Sequence, residues 1–506
     1  MTGVIPSAMM KAIELNAEYF GVSRIQLMEN AGYAIAREIA SRFKPREANV
    51  VIYAGLGGNG GDGFVAARHL AGLGFKVDVI LAGRPSEIED TASKRNWECI
   101  QLLGHSITTH VAYDSSLIPK LEATVTVDAL LGIGVRGELR QPILQMVKTI
   151  NRRPGFKLAV DVPTGIDSDA GEVLGEAVKA DLTVTFHRPK TGLLKAKKHV
   201  GKLIITSVGI PPEAELYAGP GDISLVQKPR PLEVHKGEFG RLLVIGGSET
   251  FSGAPALAAL AALRTGVDLV YVAAPRDTAY AIATMSPDLI TVKLEGSQLD
   301  SRSVGVIEDL LGKATAVILG PGLGLHRDTV SAVKQLFNLI GKKRVPLLLD
   351  ADALKAFAEF KHRVNFPVVL TPHLGEYKIL TGTDIPNNLS DRVEHVCRSA
   401  EELGVVILLK SHIDIISDGI TTKLNLTGNP GMTVGGTGDT LSGITGALLA
   451  QGFDPFRAAV AGAFINGAAG DFVREEKGYH MVPTDVIDWI SRVMEDPMGH
   501  VRVRKW

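Results

Sequence analysis

Two glycine-rich runs carry the residue types from which phosphate and sugar chemistry is built. In "GNPGMTVGGTGDTLSG" (428–443), Gly435, Gly436, Thr437 and Gly438 lead directly into Asp439 and a helical-looking small-residue segment. Consecutive N–H groups in such a turn, aimed along a helix N-terminus, form an anion-binding concavity, and glycines let a phosphate approach without Cβ clashes. Asp439 then stands where it can take the proton of a group beside that phosphate. The competing reading is a capping aspartate after a flexible turn.

In "AGLGGNGGDGF" (54–64), Gly55, Gly57 and Gly60 have the G-x-G-x-x-G spacing of a dinucleotide fingerprint, which raises a dehydrogenase as one reading. That reading wants an acid at the end of the next strand, and "KVDVILAGRP" keeps Asp78 inside the strand. The oxygens of Asn59 and Asp62 suit a cation or a sugar hydroxyl instead. Asp128 of "TVDALLGIGVRGE", and Asp161 and Thr164 of "LAVDVPTGIDSDAG", lie at two further strand ends; Asp167 and Asp169 read as solvated turn residues. Around the later run, "GGSETFSGAP", "GPGLG", "LTPHLGE" and "LLKSHID" with Lys410 also fall at C-terminal strand ends, where open α/β sheets bind ligands.

The elements that must hold these loops alternate. Helices are expected from "PSAMMKAIELNAEYFG" and, capped by Ser23, from "SRIQLMENAGYAIAREIASRF". Short β-branched runs follow ("NVVIYAG", "KVDVILAG", "ATVTVDALLG", "FKLAVDVPTG", "DLTVTF", "KLIITSVGI"), the earlier ones separated by helical stretches, as in a parallel sheet covered on both faces. The Pro- and Gly-rich stretch 211–240 breaks the rhythm and sets a boundary near residue 218. A second series runs from "GRLLVIGG" to "IDIISDG", and helices around 438–451, 455–474 and 483–494 close the chain. Two α/β domains are therefore expected, residues 1–217 and 218–506, in keeping with a length of 506 residues.

Lys+Arg 54 against Asp+Glu 55 argues against nucleic-acid or polybasic membrane binding, and no stretch is long and apolar enough to span a bilayer. Two distant cysteines, Cys99 and Cys397, argue against a disulfide framework or a zinc site and fit a reducing cytoplasm. The basic stretch "HRPKTGLLKAKKH" reads as a solvated edge, with Lys190 near enough to a glycine to meet phosphates; Lys236 reads as a surface turn, and "HVRVRKW" as a frayed end. A homo-oligomer is expected, with "IQLMENAGYAIA" available for an interface or for the core.

Residues 225–490, through "HKGEFGRLLVIGGS", "FSGAPALAALAALRTGVDLV", "GPGLG", "DADAL", "TPHLGE", "LLK" and "GNPGMTVGGTGD", resemble the carbohydrate-kinase-like NAD(P)H-hydrate dehydratase family, a branch of the ribokinase-like fold. Phe251 stands where Tyr is common, and Leu374 where Pro is. The resemblance implies that Lys410, Ser411, His412, Ile413, Asp414 and Gly438 border an adenine nucleotide, and that Ala254, Gly322, His373 and Asp439 contact the damaged cofactor. Residues 5–212, through "LMENAG", "NGGDG", "VDALLGIGVRG" and "AVDVPTGID", resemble the NAD(P)H-hydrate epimerase family, or YjeF N-terminal domain, a Rossmann-like three-layer α/β/α fold. This resemblance implies a potassium site at Asn59, Asp128 and Thr164. It also implies contacts to hydrated cofactor from Gly58, Asn59, Gly60, Gly61 and Asp62, from the turn Gly132, Ile133, Gly134, Val135, Arg136, Gly137 and Glu138, and from Asp161. Gly58 replaces the family's usual first Asn.

Together the two resemblances imply repair of NADH or NADPH hydrated across C5=C6. The first domain would interconvert the R and S forms at C6, with Asp161 as acid/base. The second would dehydrate the S form while ADP becomes AMP and phosphate, with Asp439 as base and Mg²⁺ expected by analogy with other phosphoryl-transfer sites. The rival within this fold is a small-alcohol kinase carrying an N-terminal nucleotide-binding module, since Asp439 is equally placed to deprotonate a substrate hydroxyl.

Overall fold

The structure, a computed structural model, describes residues 3–135 and 137–504. The chain divides into two compact units after Pro211. The expected boundary near 218 lies inside the second unit because that stretch is bonded there. The Ala218 N–H donates to Leu424 O at 2.8 Å, and the buried Lys423 ammonium is paired with Asp222.

In the first unit the strands are β1 (Asn49–Ala54), β2 (Lys76–Leu81), β3 (Ile107–Val111), β4 (Val125–Ala129), β5 (Phe156–Val160), β6 (Leu182–Phe186) and β7 (Lys202–Thr206). They form one all-parallel sheet in the order β3-β2-β1-β4-β5-β6-β7. Strand order reverses between β1 and β4, the point at which a crevice opens at the carboxyl ends of the strands. Val51, Tyr53 and Ile80 pack against Met146, Val147 and Ile150 of the helix Ile143–Arg152 on one face. Burial of each such side chain contributes roughly 1.5–3 kcal/mol. On the other face the helix Gly58–Gly72 lies so close that a Cβ on Gly63 would stand 2.8 Å from that of Ala129. Ser23 caps the helix Arg24–Ala40 in a capping box with Gln26, as its sequence position implies.

The second unit contains β8 (Arg241–Ile245), β9 (Leu269–Pro275), β10 (Ile290–Leu294), β11 (Ala316–Leu319), β12 (Leu347–Leu349), β13 (Val368–Leu370), β14 (Val406–Leu409), β15 (Asp414–Ser417) and β16 (Thr422–Asn425). Its sheet runs β10-β9-β8-β11-β12-β13-β14-β15-β16, parallel as far as β14 and antiparallel over the last two strands. The switch point falls between β8 and β11. Leu243, Val317 and Leu347 face Val333, Leu336 and Phe337 of the helix Arg327–Lys343. The opposite face is covered by the helices Gly253–Arg264 and Thr437–Ala450. The small residues of the latter are a packing requirement: a Cβ on Gly443 would lie 2.2 Å from Ala258 O, and one on Gly446 2.5 Å from Ile318 Cδ1.

The strands β3, β10 and β16 are additions to the elements expected from sequence. β3 and β10 are edge strands with half their side chains turned toward solvent, and their polar residues hide the apolar signal. The closing helices Pro455–Lys477 and Pro483–Glu495 fall where expected.

Candidate active sites

In each unit a glycine ends a central strand, β1 in the first and β11 in the second, and carries the chain past its neighbour with no room for a side chain. A Cβ on Gly55 would stand 1.9 Å from Leu130 O; the corresponding contact at Gly320, after β11, is 1.8 Å from Asp350 O. These approaches bring the loops after the central strands of each sheet into one crevice.

In the first unit that crevice gathers Asn59, Asp128 and Thr164. Asp128 is 1% exposed; its Oδ2 accepts the Thr164 N–H at 2.8 Å, and its Oδ1 accepts the Thr164 hydroxyl at 2.7 Å. Burial, only partly offset by the bonds from Thr164 and Leu130, pushes the Asp128 carboxyl up to about 6. The Leu131 N–H donates to Thr164 Oγ1 at 3.0 Å, and one residue on, a Cβ at Gly132 would lie 3.0 Å from Asn59 Oδ1. The other amide atom of Asn59 is buried and has no hydrogen-bond partner among the described residues. Gly58 to Asp62 form the first turn and a half of the helix Gly58–Gly72. In the turn after β4, Ile133 and Val135 spend their side chains on the core, and Gly134 and Gly137 have positive φ. Lys11 reaches the same turn, its Nζ 2.7 Å from where a Cβ on Gly134 would stand. Arg136 lies outside the described residues.

Asp161 follows β5 with φ 61°, a left-handed conformation rare for a non-glycine residue and concentrated at functional sites. Its Oδ1 accepts the Thr185 hydroxyl at 2.9 Å and pairs with the Lys190 ammonium, which also donates to Phe186 O at 3.2 Å. Lys190 is 1% exposed, so the expectation of a solvated basic edge is corrected at this residue. Its stem is drawn under the sheet end by the Ile5–Lys190 bridge and by burial of its chain neighbour Pro189. Glu14, on the helix Ser7–Tyr19, also feels Asp161: burial and then that charge raise its carboxyl above the usual range. Asp62 is raised further, by burial first and then by Asp161 and Glu14. Glu14 carries no motif of its own, and the sequence offers Lys190 only as a phosphate contact, not as a partner of Asp161.

In the second unit Asp439 occupies the first turn of the helix Thr437–Ala450, reached through Gly436 at φ 107°. Asp439 is half-buried; burial first, then the charges of Asp350 and Glu376, against an opposing pull from Lys410, push it up to about 7. The Lys410 ammonium donates to Asp350 Oδ1 at 2.9 Å, and the Ser442 hydroxyl donates to Asp350 Oδ2 at 2.6 Å. Burial alone would raise Asp350; the Lys410 charge and these hydrogen bonds outweigh it and hold the carboxyl below its usual value. Burial alone would lower Lys410; the Asp350 and Glu376 charges outweigh it and hold the ammonium above its usual value. The same Nζ is 3.4 Å from where a Cβ on Gly438 would stand, so Lys410 and the helix N-terminus share one space.

The other expected residues fall around it. A Cβ on Gly322 would lie 2.8 Å from Phe251 Cβ and 3.6 Å from Ala254 Cβ, so these three adjoin. His373 is exposed, caps its own helix through Nδ1, and bridges backbone to Lys410. Asp414 is turned inward: its Oδ1 accepts the Ser411 N–H at 2.9 Å and its Oδ2 the Asn425 amide at 3.0 Å, which closes the turn holding His412 and Ile413. Burial raises the Asp414 carboxyl to about 6. Asp350, Glu376 and Ser442 join the candidate site through Lys410 and Asp439; they lie inside motifs whose spacing does not single them out.

Residues 24–192 match the family model described as YjeF-related protein N-terminus, and residues 242–492 the model described as NAD(P)H-hydrate dehydratase. The chain is 45% identical to the bifunctional NAD(P)H-hydrate repair enzyme of Pyrobaculum aerophilum, over 97% of this chain and 98% of that one. It is 44% identical to the enzyme of the same name from Hyperthermus butylicus, over 98% and 93%. The chain belongs to the bifunctional NAD(P)H-hydrate repair enzymes. Its first unit is the epimerase domain of such a repair enzyme and its second the dehydratase domain, and the kinase and dehydrogenase readings fall away. Among solved structures, an ADP/ATP-dependent NAD(P)H-hydrate dehydratase from Bacillus subtilis, co-crystallised with ATP and Mg²⁺, is 26% identical over 55% of this chain and 97% of its own, with a TM-score of 0.47. No described helix is long and apolar enough to cross a membrane.

Proposed function

We propose that the second unit uses ADP to turn the C6 hydroxyl of the S hydrate into a leaving group, with Asp439 as the base. The observation that carries this reading is a half-buried carboxylate with its pKa raised to about 7, set in the first turn of a helix that opens on a glycine turn. Asp439 takes the proton of the C6 hydroxyl, and that oxygen forms a bond to the β-phosphorus of ADP as AMP departs. Charge on the transferring group is met by the N–H groups of Gly435–Gly438 and by Lys410. The C6–O bond then breaks, with the ring nitrogen's electron pair moving in and phosphate leaving; loss of the C5 proton restores C5=C6. The turn Lys410–Asp414 borders the nucleotide, and Ala254, Gly322 and His373 border the nicotinamide. No group of three or more His, Cys, Asp or Glu among the described residues is arranged to hold a metal, so Mg²⁺ would be carried chiefly by the nucleotide's phosphates. It would supply charge neutralisation there.

In the first unit, Asp161 is the acid/base for reversible loss of the C6 hydroxyl. Its carboxyl gives a proton to the departing oxygen as the ring nitrogen forms an iminium. It takes one back from the water that adds to either face. Lys190 holds Oδ1, and Oδ2 is the atom assigned to the substrate. Gly58–Asp62 and the turn Gly132–Glu138 bind the rest of the cofactor. Potassium fits Asn59, Asp128 and Thr164: a buried carboxylate, a hydroxyl and the amide oxygen Oδ1 of Asn59 are hard oxygen donors. When bound, the ion would supply a fixed positive charge that orders the loop. Residence in the cytoplasm accords with two free cysteines, and self-association would draw on Ile25 and Tyr33, exposed on the helix Arg24–Ala40.

The test is restoration of NADH absorbance from S-hydrated NADH with and without ADP. Restoration should require ADP and release AMP and phosphate in equal amounts. Equal rates without nucleotide would remove Asp439 from its role.

A further inference from the structure

The nucleotide-binding turn of the second unit is held from behind by the end of the chain. His500 is 0% exposed, against the sequence expectation of a frayed terminus, and its Nε2 lies 3.1 Å from Asp471 Oδ2. Asp471, itself 3% exposed, accepts the Gly428 N–H on Oδ2 at 3.0 Å and the Asn429 amide on Oδ1 at 3.0 Å. The same amide donates to Gly470 O at 3.0 Å. On its other side, Asn429 Oδ1 accepts the Gly431 N–H at 3.0 Å and starts the turn Pro430–Thr433. The Thr437 hydroxyl, in the first turn of the helix that carries Asp439, closes that turn by donating to Met432 O at 2.7 Å. Arg474 ties the remaining tail, donating to Val503 O at 2.8 Å.

The Met432 N–H also donates to Asn429 O at 3.0 Å, so a path of hydrogen bonds, carried across the backbone of Met432, runs from His500 through Asp471 and Asn429 to Thr437, with Gly435 and Gly436 lying in sequence between its last two members. The carboxylate is the junction: it faces the tail with one oxygen and the loop with both. We infer that His500 and Asp471 are positioning residues for the adenine nucleotide, acting through Asn429 to set the glycine turn 435–438. The inference rests on the reading of that turn as the nucleotide site. Loss of the His500 N–H would leave Asp471 Oδ2 under-bonded and let the Gly428–Pro430 corner shift. Small displacements of a binding turn are expensive in affinity because its N–H groups must all point at one anion.

The experiment uses the full-length enzyme and compares wild type, His500→Phe and His500→Gln. Phenylalanine keeps the ring that packs 5.6 Å from Phe464 and 6.1 Å from Phe472, measured between ring centroids, but has no N–H; glutamine keeps a donor. His500→Phe should raise the dehydratase KM for ADP about tenfold while leaving kcat at saturating ADP within about threefold. His500→Gln should recover most of that loss. Epimerase activity, which depends on residues of the other unit that none of these bonds touches, should be unchanged in both, and the thermal unfolding transition of the second unit reports whether that unit is folded. A purely structural role would lower the melting temperature and leave KM for ADP where it was. A folded His500→Phe with the wild-type KM overturns the inference. Should that variant not fold, Asn429→Ala cuts the same path at a half-buried residue, and an unmoved KM there overturns it equally. A wild type that needs no ADP overturns the nucleotide reading and the inference with it; an ADP-dependent wild type beside an indifferent variant overturns the inference alone.

Discussion

In the first unit the carboxylate at the strand ends, Asp161, is gripped by a lysine that is 1% exposed. In the second, Asp439 is half-buried beside Lys410, whose ammonium is already committed to Asp350. Asp161 follows β5, and Asp439 opens the helix Thr437–Ala450 beside Asp350 and Lys410, which follow β12 and β14; in both units a glycine lies where an added Cβ would stand within 2 Å of a neighbouring carbonyl oxygen, 1.9 Å at Gly55 and 1.8 Å at Gly320. The difference lies in what is done with the charge. A lysine in direct contact orients Asp161 and shares its hydrogen-bonding capacity, which suits a reaction that only moves water from one face to the other. Burial first, then the Asp350 charge, outweighs the pull of the occupied Lys410 ammonium and leaves Asp439 poised near neutrality, which suits a group that must accept a proton from an unreactive hydroxyl.

That contrast is broken most directly at Asp439. Asp439→Ala should lower the dehydratase kcat by about 10²–10⁴ and leave epimerisation intact, measured with S-hydrate for the first activity and by R-to-S conversion for the second. Loss of both activities together would mean that the two carboxylates do not serve separate steps. Next in size is Lys190→Met, which strands a buried carboxylate. Denaturant unfolding of the first unit should show a loss of about 3–5 kcal/mol. Epimerisation should be lost while S-hydrate is still repaired; persistence of epimerisation would show that Asp161 works without its partner. The smallest effect sharpens the comparison rather than breaking it. A base raised to about 7 is ionised above that pH and protonated below it, so dehydratase kcat/KM should fall about tenfold from pH 8 to pH 6. A flat profile over that range would place the titrating group elsewhere.

Much of the fold was legible because strands such as "NVVIYAG" and "VPLLLDADAL" are buried on both faces and read as unbroken apolar runs. Where one side faces water the signal thins: "SITTHV" forms the edge strand β3 with Thr108, Thr109 and His110 along it, and no apolar run marks it. The glycine loops were legible for a different reason, since close backbone approach leaves few alternatives to glycine. Charge partners were not. Lys190 lies in a stretch whose composition says solvent, and only the bridge from Ile5 and the turn after β6 carry it inward. The tail "HVRVRKW" reads as frayed because nothing local shows that His500 will meet Asp471, 29 residues earlier.

From its residues alone the chain determined two alternating α/β series, a glycine-rich turn in each, and a candidate aspartate for each site, Asp161 and Asp439. Those are local properties: strand propensity, helix entry and steric exclusion act over a few residues. Which carboxylate has a lysine in direct contact and which stands beside a lysine committed elsewhere was decided only by tertiary structure. The deciding contacts, Lys190 on Asp161 and Lys410 on Asp350, span 29 and 60 residues of sequence, and the desolvation that makes them matter exists only once the sheets are packed.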